Sequence, residues 1–154
     1  MTTDIVEQEA RIARARIMRM QHACESLPKE QRMDESPPLR HHLSPGVYVR
    51  EIHLAAGSLV VGKIHRHRHM NIISQGRVIV FTEFGREELK AGDVFESQAG
   101  TKRVVLTLED AIWSTIHPNP FNETDIATLE AMYVADDYAE LGLAVADLDA
   151  ITED

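Results

Sequence analysis

The densest chemistry in the chain lies in the run His65-Arg66-His67-Arg68-His69, followed closely by Asn71. Alternate residues of a strand share a face. The spacing therefore predicts that His65, His67 and His69 project together, with Asn71 and Ile73 continuing that face and Arg66, Arg68 and Met70 turned away. Imidazoles at i and i+2 can converge their ring nitrogens on one point, which would suit a divalent transition metal such as Zn, Fe or Mn. The plainer expectation is a polar strand whose histidines hydrogen-bond to one another, to water or to a partner. Other catalytic patterns are missing: there is no GxSxG, no GxGxxG and no phosphate-binding loop. Cys24 is the one cysteine. It allows no intrachain disulfide and, inside a helical pattern, reads as a small buried apolar residue. No catalytic residue is assigned.

Such a strand needs elements to hold it, and the chain divides into four stretches. Residues 1–27 form an amphipathic helical arm, in which Ile5, Ile12, Ile17 and Met20 lie on one broad apolar face. Leu27-Pro28 ends it, because a residue before proline is pushed out of the helical region. A helix of this length outruns a small β-domain, so its stripe is expected to assemble against another copy of the chain. Residues 28–46, with Pro28, Pro37-Pro38 and Pro45-Gly46, read as an extended linker. Residues 47–118 alternate in short apolar runs separated by glycine turns, as in Val47 to Leu54, Arg77 to Phe84 and Ala111 to Ile116; this is the pattern of an all-β sandwich or barrel. Residues 119–154 form an acidic segment with a helix from Thr124 or Asp125 to Tyr133 and a shorter one near Tyr138–Leu141, broken by Gly142.

Charge narrows the partners. The chain has 154 residues and a formal net charge of -9. The last stretch holds ten acidic residues and no Lys, Arg or His. That balance disfavours direct binding to nucleic acid or to an anionic membrane. No apolar run is long enough to span a bilayer, and the N-terminal stretch lacks the pattern of a signal peptide.

Gly62-Lys63-Ile64-His65-Arg66-His67, the turn at Gly76 and the later Gly92-Asp93-Val94-Phe95 with Ala99-Gly100 resemble the two short motifs of the cupin superfamily. The resemblance implies a mainly β fold: a single double-stranded β-helix, or jelly-roll, barrel, flanked here by the N-terminal helix and the acidic C-terminal helical segment. It also implies a metal held inside by two histidines, a glutamate and a final histidine. Asn71 or Ile72 stands at the glutamate position and Arg103 at the final histidine position. His69 and His117 are the candidate substitutes, which makes His65, His67, His69 and His117 the metal candidates. Asn binds such metals weakly, and an arginine repels a dication. Asn71 and Arg103 suggest instead a pocket for a carboxylate or a sugar acid, unless Arg103 is paired with Glu83 or Glu96. No cofactor is the first expectation, and Zn, Fe or Mn the alternative.

The run from His65 to Val78, with Ala99 to Val105 and Thr115 to Asn119, further resembles small cupin-like proteins encoded by tailed bacteriophages. That likeness implies a non-enzymatic assembly protein, a tail or virion component forming homo-oligomers through its arm and meeting other tail proteins. It places the chain in the virion or the host cytoplasm. The alternative is a metal-dependent cupin enzyme, or a small-molecule binder, using His65, His67 and a substitute ligand.

Overall fold

The computed structural model describes residues 2–27 and 38–150. Helix α1 spans Thr2–Glu25, and eleven antiparallel strands follow, with helix α2 (Ile126–Tyr133) before the last. The strands are β1 (Leu39–Ser44), β2 (Gly46–Leu54), β3 (Leu59–Val61), β4 (Ile64–His65), β5 (His69–Gln75), β6 (Arg77–Thr82), β7 (Gly85–Lys90), β8 (Val94–Ser97), β9 (Val104–Thr107), β10 (Ala111–Asn119) and β11 (Val134–Ala135).

They form an open five-stranded sheet in the order β1-β2-β10-β5-β8, an open four-stranded sheet β3-β9-β6-β7 and a small pair β11-β4. No sheet closes into a barrel, which corrects the expected double-stranded β-helix barrel. The core lies between the two larger sheets. Leu54, Ile73, Ala111 and Trp113 from the first meet Val78, Val80, Leu89 and Val105 from the second. Each is an inward position of an alternating strand, so burial follows from the period-2 pattern. Burying a side chain of this kind contributes roughly 1.5–3 kcal/mol. The tight turn between β5 and β6 depends on Gly76. Its φ is +82°, and a Cβ there would lie 2.2 Å from the Asp110 carbonyl oxygen.

Helix α1 docks on its own chain. Ala15 and Ile17 are buried, and Met18 packs on the cluster of Ile64, Ala135 and Tyr138. Arg14 Nε donates to the Ala144 carbonyl at 2.6 Å, and the Ala146 N–H donates to the Arg11 carbonyl. The acidic C-terminal stretch thus lies along the helix, and Asp149 pairs with Arg19 at 3.1 Å. Helix α2 is capped by Asp125, which accepts from the Thr128 N–H at 3.0 Å. It buries Leu129 and Tyr133 against Tyr48. A short 3-10 helix covers Tyr138–Leu141 and ends on Gly142 in the left-handed region. Within the stretch expected to be linker, residues 39–44 form β1, paired along its length with β2. Pro45 is a turn and Gly46 opens β2, while residues 28–37 lie outside the described residues.

Candidate functional site

The histidines do not form one continuous strand. β4 ends at His65, the chain bends through Arg66 and His67, and β5 begins at His69. The cause is α2. β11 follows it directly and pairs with β4, setting Val134 opposite His65, while the Tyr133 and Val134 carbonyls accept from the Arg66 backbone N–H and Nε. The chain bends at Arg66 and His67, which interrupts the alternation. His65 and His69 remain inside with rings stacked at 4.2 Å, while His67 is exposed. His117 joins them from β10, its ring 5.2 Å from His69 and 6.1 Å from His65. β10 runs to Asn119, so His117 is an inward strand residue and has no need to reach back.

Arg103 precedes β9 and reaches into this cluster; it is only 8% exposed. Its Nη2 donates to His69 Nε2 at 2.7 Å, Asn71 Oδ1 at 2.9 Å and Ser97 Oγ at 3.0 Å, and its Nη1 approaches His65 Nε2 at 3.4 Å. The guanidinium also stacks over Trp113 at 4.7 Å. Asn71 is held by β5: its Oδ1 accepts from Trp113 Nε1 and its Nδ2 donates to Ser97 Oγ. None of these hydrogen-bond partners is a carboxylate. Glu83 is engaged elsewhere, accepting from the Lys102 N–H and the Tyr138 hydroxyl, and Glu96 pairs with Arg68.

These partners assign the tautomers. His69 Nε2 accepts from Arg103, so its Nδ1 carries the proton and donates to the His67 carbonyl at 3.0 Å. On the same logic His65 Nδ1 is a donor, and it is buried without a hydrogen-bond partner. Burial, followed by the Arg103 charge, holds His69 down at about 4 and His65 well below the usual histidine range. Burial, then His69, Arg50 and Arg103, holds His117 at about 3. All three rings are neutral at pH 7. Burial lowers Arg103 to about 9, so it keeps its charge there.

Beside the guanidinium lies a cavity of about 310 Å3, whose wall includes Arg50, His65, Arg103 and Thr115. Arg50 sits on β2 directly across from Thr115 of β10, which in turn faces Asn71 of β5, so one cross-strand row delivers these polar groups. Arg50 Nη2 meets Glu130 at 3.4 Å, but its buried Nε has no hydrogen-bond partner. A second cavity of about 170 Å3 lies against the Arg103–Trp113 pair and includes Glu87, Glu96 and Ser97.

The fit of a metal can be judged from the donors. The Nε2 atoms of His65 and His69, the natural ligating atoms, both face the Arg103 guanidinium. A dication at that point would meet a fixed positive charge. Among the described residues no group of three or more His, Cys, Asp or Glu side chains is arranged to hold a metal ion. The residues present do not fit the metal that the cupin resemblance implied.

Of the expected site residues, the fold brings together His65, His69, His117, Asn71 and Arg103, and leaves His67 outside. Arg50, Ser97, Thr115 and Trp113 were not anticipated as site residues. A signal for Arg50 was present: it shares the parity of Tyr48, Ile52 and Leu54, a charge on an otherwise apolar face. The expected assembly residues are scattered. Ile5 is 60% exposed, Ile12 and Met20 are half-buried, and Ile17 is buried.

The chain matches no family model and no curated protein. It is similar to solved double-stranded β-helix and cupin structures. An uncharacterized conserved protein with a double-stranded β-helix domain from Klebsiella pneumoniae is 16% identical, over 58% of this chain and 83% of that one, with a TM-score of 0.48. KdgF from Halomonas sp. is 18% identical over 58% and 84%, with a TM-score of 0.47. A cupin-2 domain protein from Shewanella frigidimarina is 12% identical over 56% and 85%, with a TM-score of 0.45. Likeness at this level carries no argument about activity, and the functional reading rests on the chain's own side chains. None of the three is named for a phage or a virion, and these likenesses lend no support to the expected phage tail or virion role. Among the described residues no helix is long and apolar enough to cross a membrane.

Proposed function

We propose that the chain binds a small organic carboxylate in the cavity walled by Arg103, and that its role is binding rather than chemistry. The observation that carries this reading is a buried guanidinium bonded only to neutral groups. A buried charge with no carboxylate bonded to it is costly, and Glu83 offsets that cost only through space. An incoming anion supplies a direct counter-charge in a setting of low dielectric, where the attraction is strongest. Two further buried donors on the same cavity wall, Arg50 Nε and His65 Nδ1, have no hydrogen-bond partner. A buried donor left unpaired costs about 1–3 kcal/mol, and a carboxylate has the lone pairs to satisfy several donors at once.

Isothermal titration calorimetry with benzoate tests this reading, with benzamide as the neutral isostere and Arg103→Met as the control. Saturable one-to-one binding of benzoate, absent with benzamide and lost in the variant, is the expected result. Equal binding of benzamide, or no change in Arg103→Met, would overturn the reading.

One observation favours a second reading, homo-oligomerisation through the arm. Ile5 and Val6 leave more than half their surface in solvent at one end of α1, while the helix face from Ala15 to Met18 is covered by the chain itself. The first turns thus remain open to a partner copy. Light scattering on Ile5→Glu/Val6→Glu checks it, a fall in mass being the supporting outcome and an unchanged mass the opposing one.

A further inference from the structure

We infer that the ligand is a monocarboxylate carrying a compact apolar body, such as a short-chain or aromatic acid, and not a sugar acid or a dicarboxylate. This rests on the carboxylate reading above and specifies its class. The polar side chains on the wall of the 310 Å3 cavity are Arg50, Lys63, His65, Arg103, Thr115 and Glu130, with Arg50 and Thr115 facing each other across β2 and β10. The rest of the wall is largely aliphatic and aromatic: Leu39, Ile52, Leu54, Val60, Val105 and the ring of Trp113. A sugar acid would set several hydroxyls against that wall without partners, each at the full loss of its hydration. A second carboxylate would meet the same apolar surface or the negative charge of Glu130, and Lys63, the other lysine or arginine on the wall besides Arg50 and Arg103, is already paired with Asp136 at 3.3 Å. A methylene or ring edge gains there instead.

Size limits the ligand as well. Small-molecule sites run from about 300 to 1,000 Å3, so this one is at the small end and accepts a body of a few carbons or one ring. The second, 170 Å3 cavity is the poorer candidate, because Glu87 and Glu96 on its wall repel an anion. It shares Arg103 and Trp113 with the first, whose one carboxylate, Glu130, is paired with Arg50, so the anion approaches from the first.

The test is a competition panel read by calorimetry at constant ionic strength: acetate, butyrate, hexanoate, benzoate, glutarate, gluconate and 1-hexanol. Affinity is expected to rise about fourfold per added methylene from acetate through butyrate towards hexanoate, until the cavity is filled. Glutarate and gluconate are expected to bind at least tenfold more weakly than hexanoate. Val60→Asn, on the aliphatic part of the wall, should weaken hexanoate several-fold while leaving acetate binding nearly unchanged. Equal affinity for all the anions, or gluconate or glutarate binding tightest, would overturn the apolar-body class and leave the Arg103 carboxylate site standing. Binding of 1-hexanol as tight as hexanoate, or no saturable binding by any anion, would overturn the carboxylate reading itself.

Discussion

Acid should unfold this protein through its inner histidines, and the size of the effect can be worked from the site. His69 and His117 are buried as neutral rings, with pKa values of about 4 and about 3 against 6.5 for the free side chain. Both folded-state values are depressed. Protons therefore bind the unfolded chain first as pH falls below 6.5, and stability is full above that value and is lost on acidification. Each ring contributes a loss of about 2 kcal/mol between pH 8 and pH 5, so the pair removes about 4 kcal/mol over that interval. That is a large share of the roughly 5–15 kcal/mol that holds a typical domain folded. His65, shifted in the same direction, adds to it. Glu83 works oppositely, since burial raises its carboxyl and protonation then favours the folded state. Urea denaturation followed by circular dichroism at half-unit steps from pH 8 to pH 5 measures the slope. His117→Gln should flatten it by about half the pair's contribution, whatever its effect on stability at pH 8. A flat profile across the interval, or ring titrations near 6.5 by NMR for His69 and His117, would refute the reasoning.

Three further outcomes are expected. Gly76→Ala should destabilise the fold by about 3 kcal/mol or more, because the added Cβ meets the Asp110 carbonyl at 2.2 Å on a backbone of positive φ; chemical denaturation measures it. Leu129→Ala, a fully buried residue joining α2 to Tyr48, should lose about 2–5 kcal/mol in the same assay. Ile17→Asp should release α1 from the β-sheets, read as faster proteolysis within residues 2–25 while the strands stay protected.

Much of the fold was legible because each element carries its own period. The stripe from Ile5 to Met20 marked α1, and alternation with glycine turns marked the strands. Sheet closure was not legible, since it depends on whether the end strands β1 and β8, or β3 and β7, find one another. The strand at 39–44 was hidden by the prolines on either side of it. Its own residues, Leu39-Arg40-His41-His42-Leu43-Ser44, alternate too weakly to announce a strand. At the site, parity placed Asn71 with His65 and His69 correctly and failed at His67. That failure is tertiary in origin: the Tyr133 and Val134 carbonyls, some 70 residues away in sequence, hold Arg66 where the strand bends. Arg103 was legible as an oddity among ligand positions, but that neither Glu83 nor Glu96 bonds to it was not. It follows from Glu83 being held by the Lys102 N–H and Tyr138, contacts that only the folded chain makes.

The most direct test of the Arg103 site uses Trp113, the single tryptophan of the chain, whose ring lies 4.7 Å from the guanidinium carbon. An anion that engages Arg103 must alter the charge over that ring. Titration of hexanoate into the protein at pH 7.5 and constant ionic strength, followed by tryptophan fluorescence, should give a saturable change that is absent in Arg103→Met. An emission spectrum indifferent to hexanoate up to millimolar concentrations, or an identical response in the variant, would contradict a carboxylate site at Arg103.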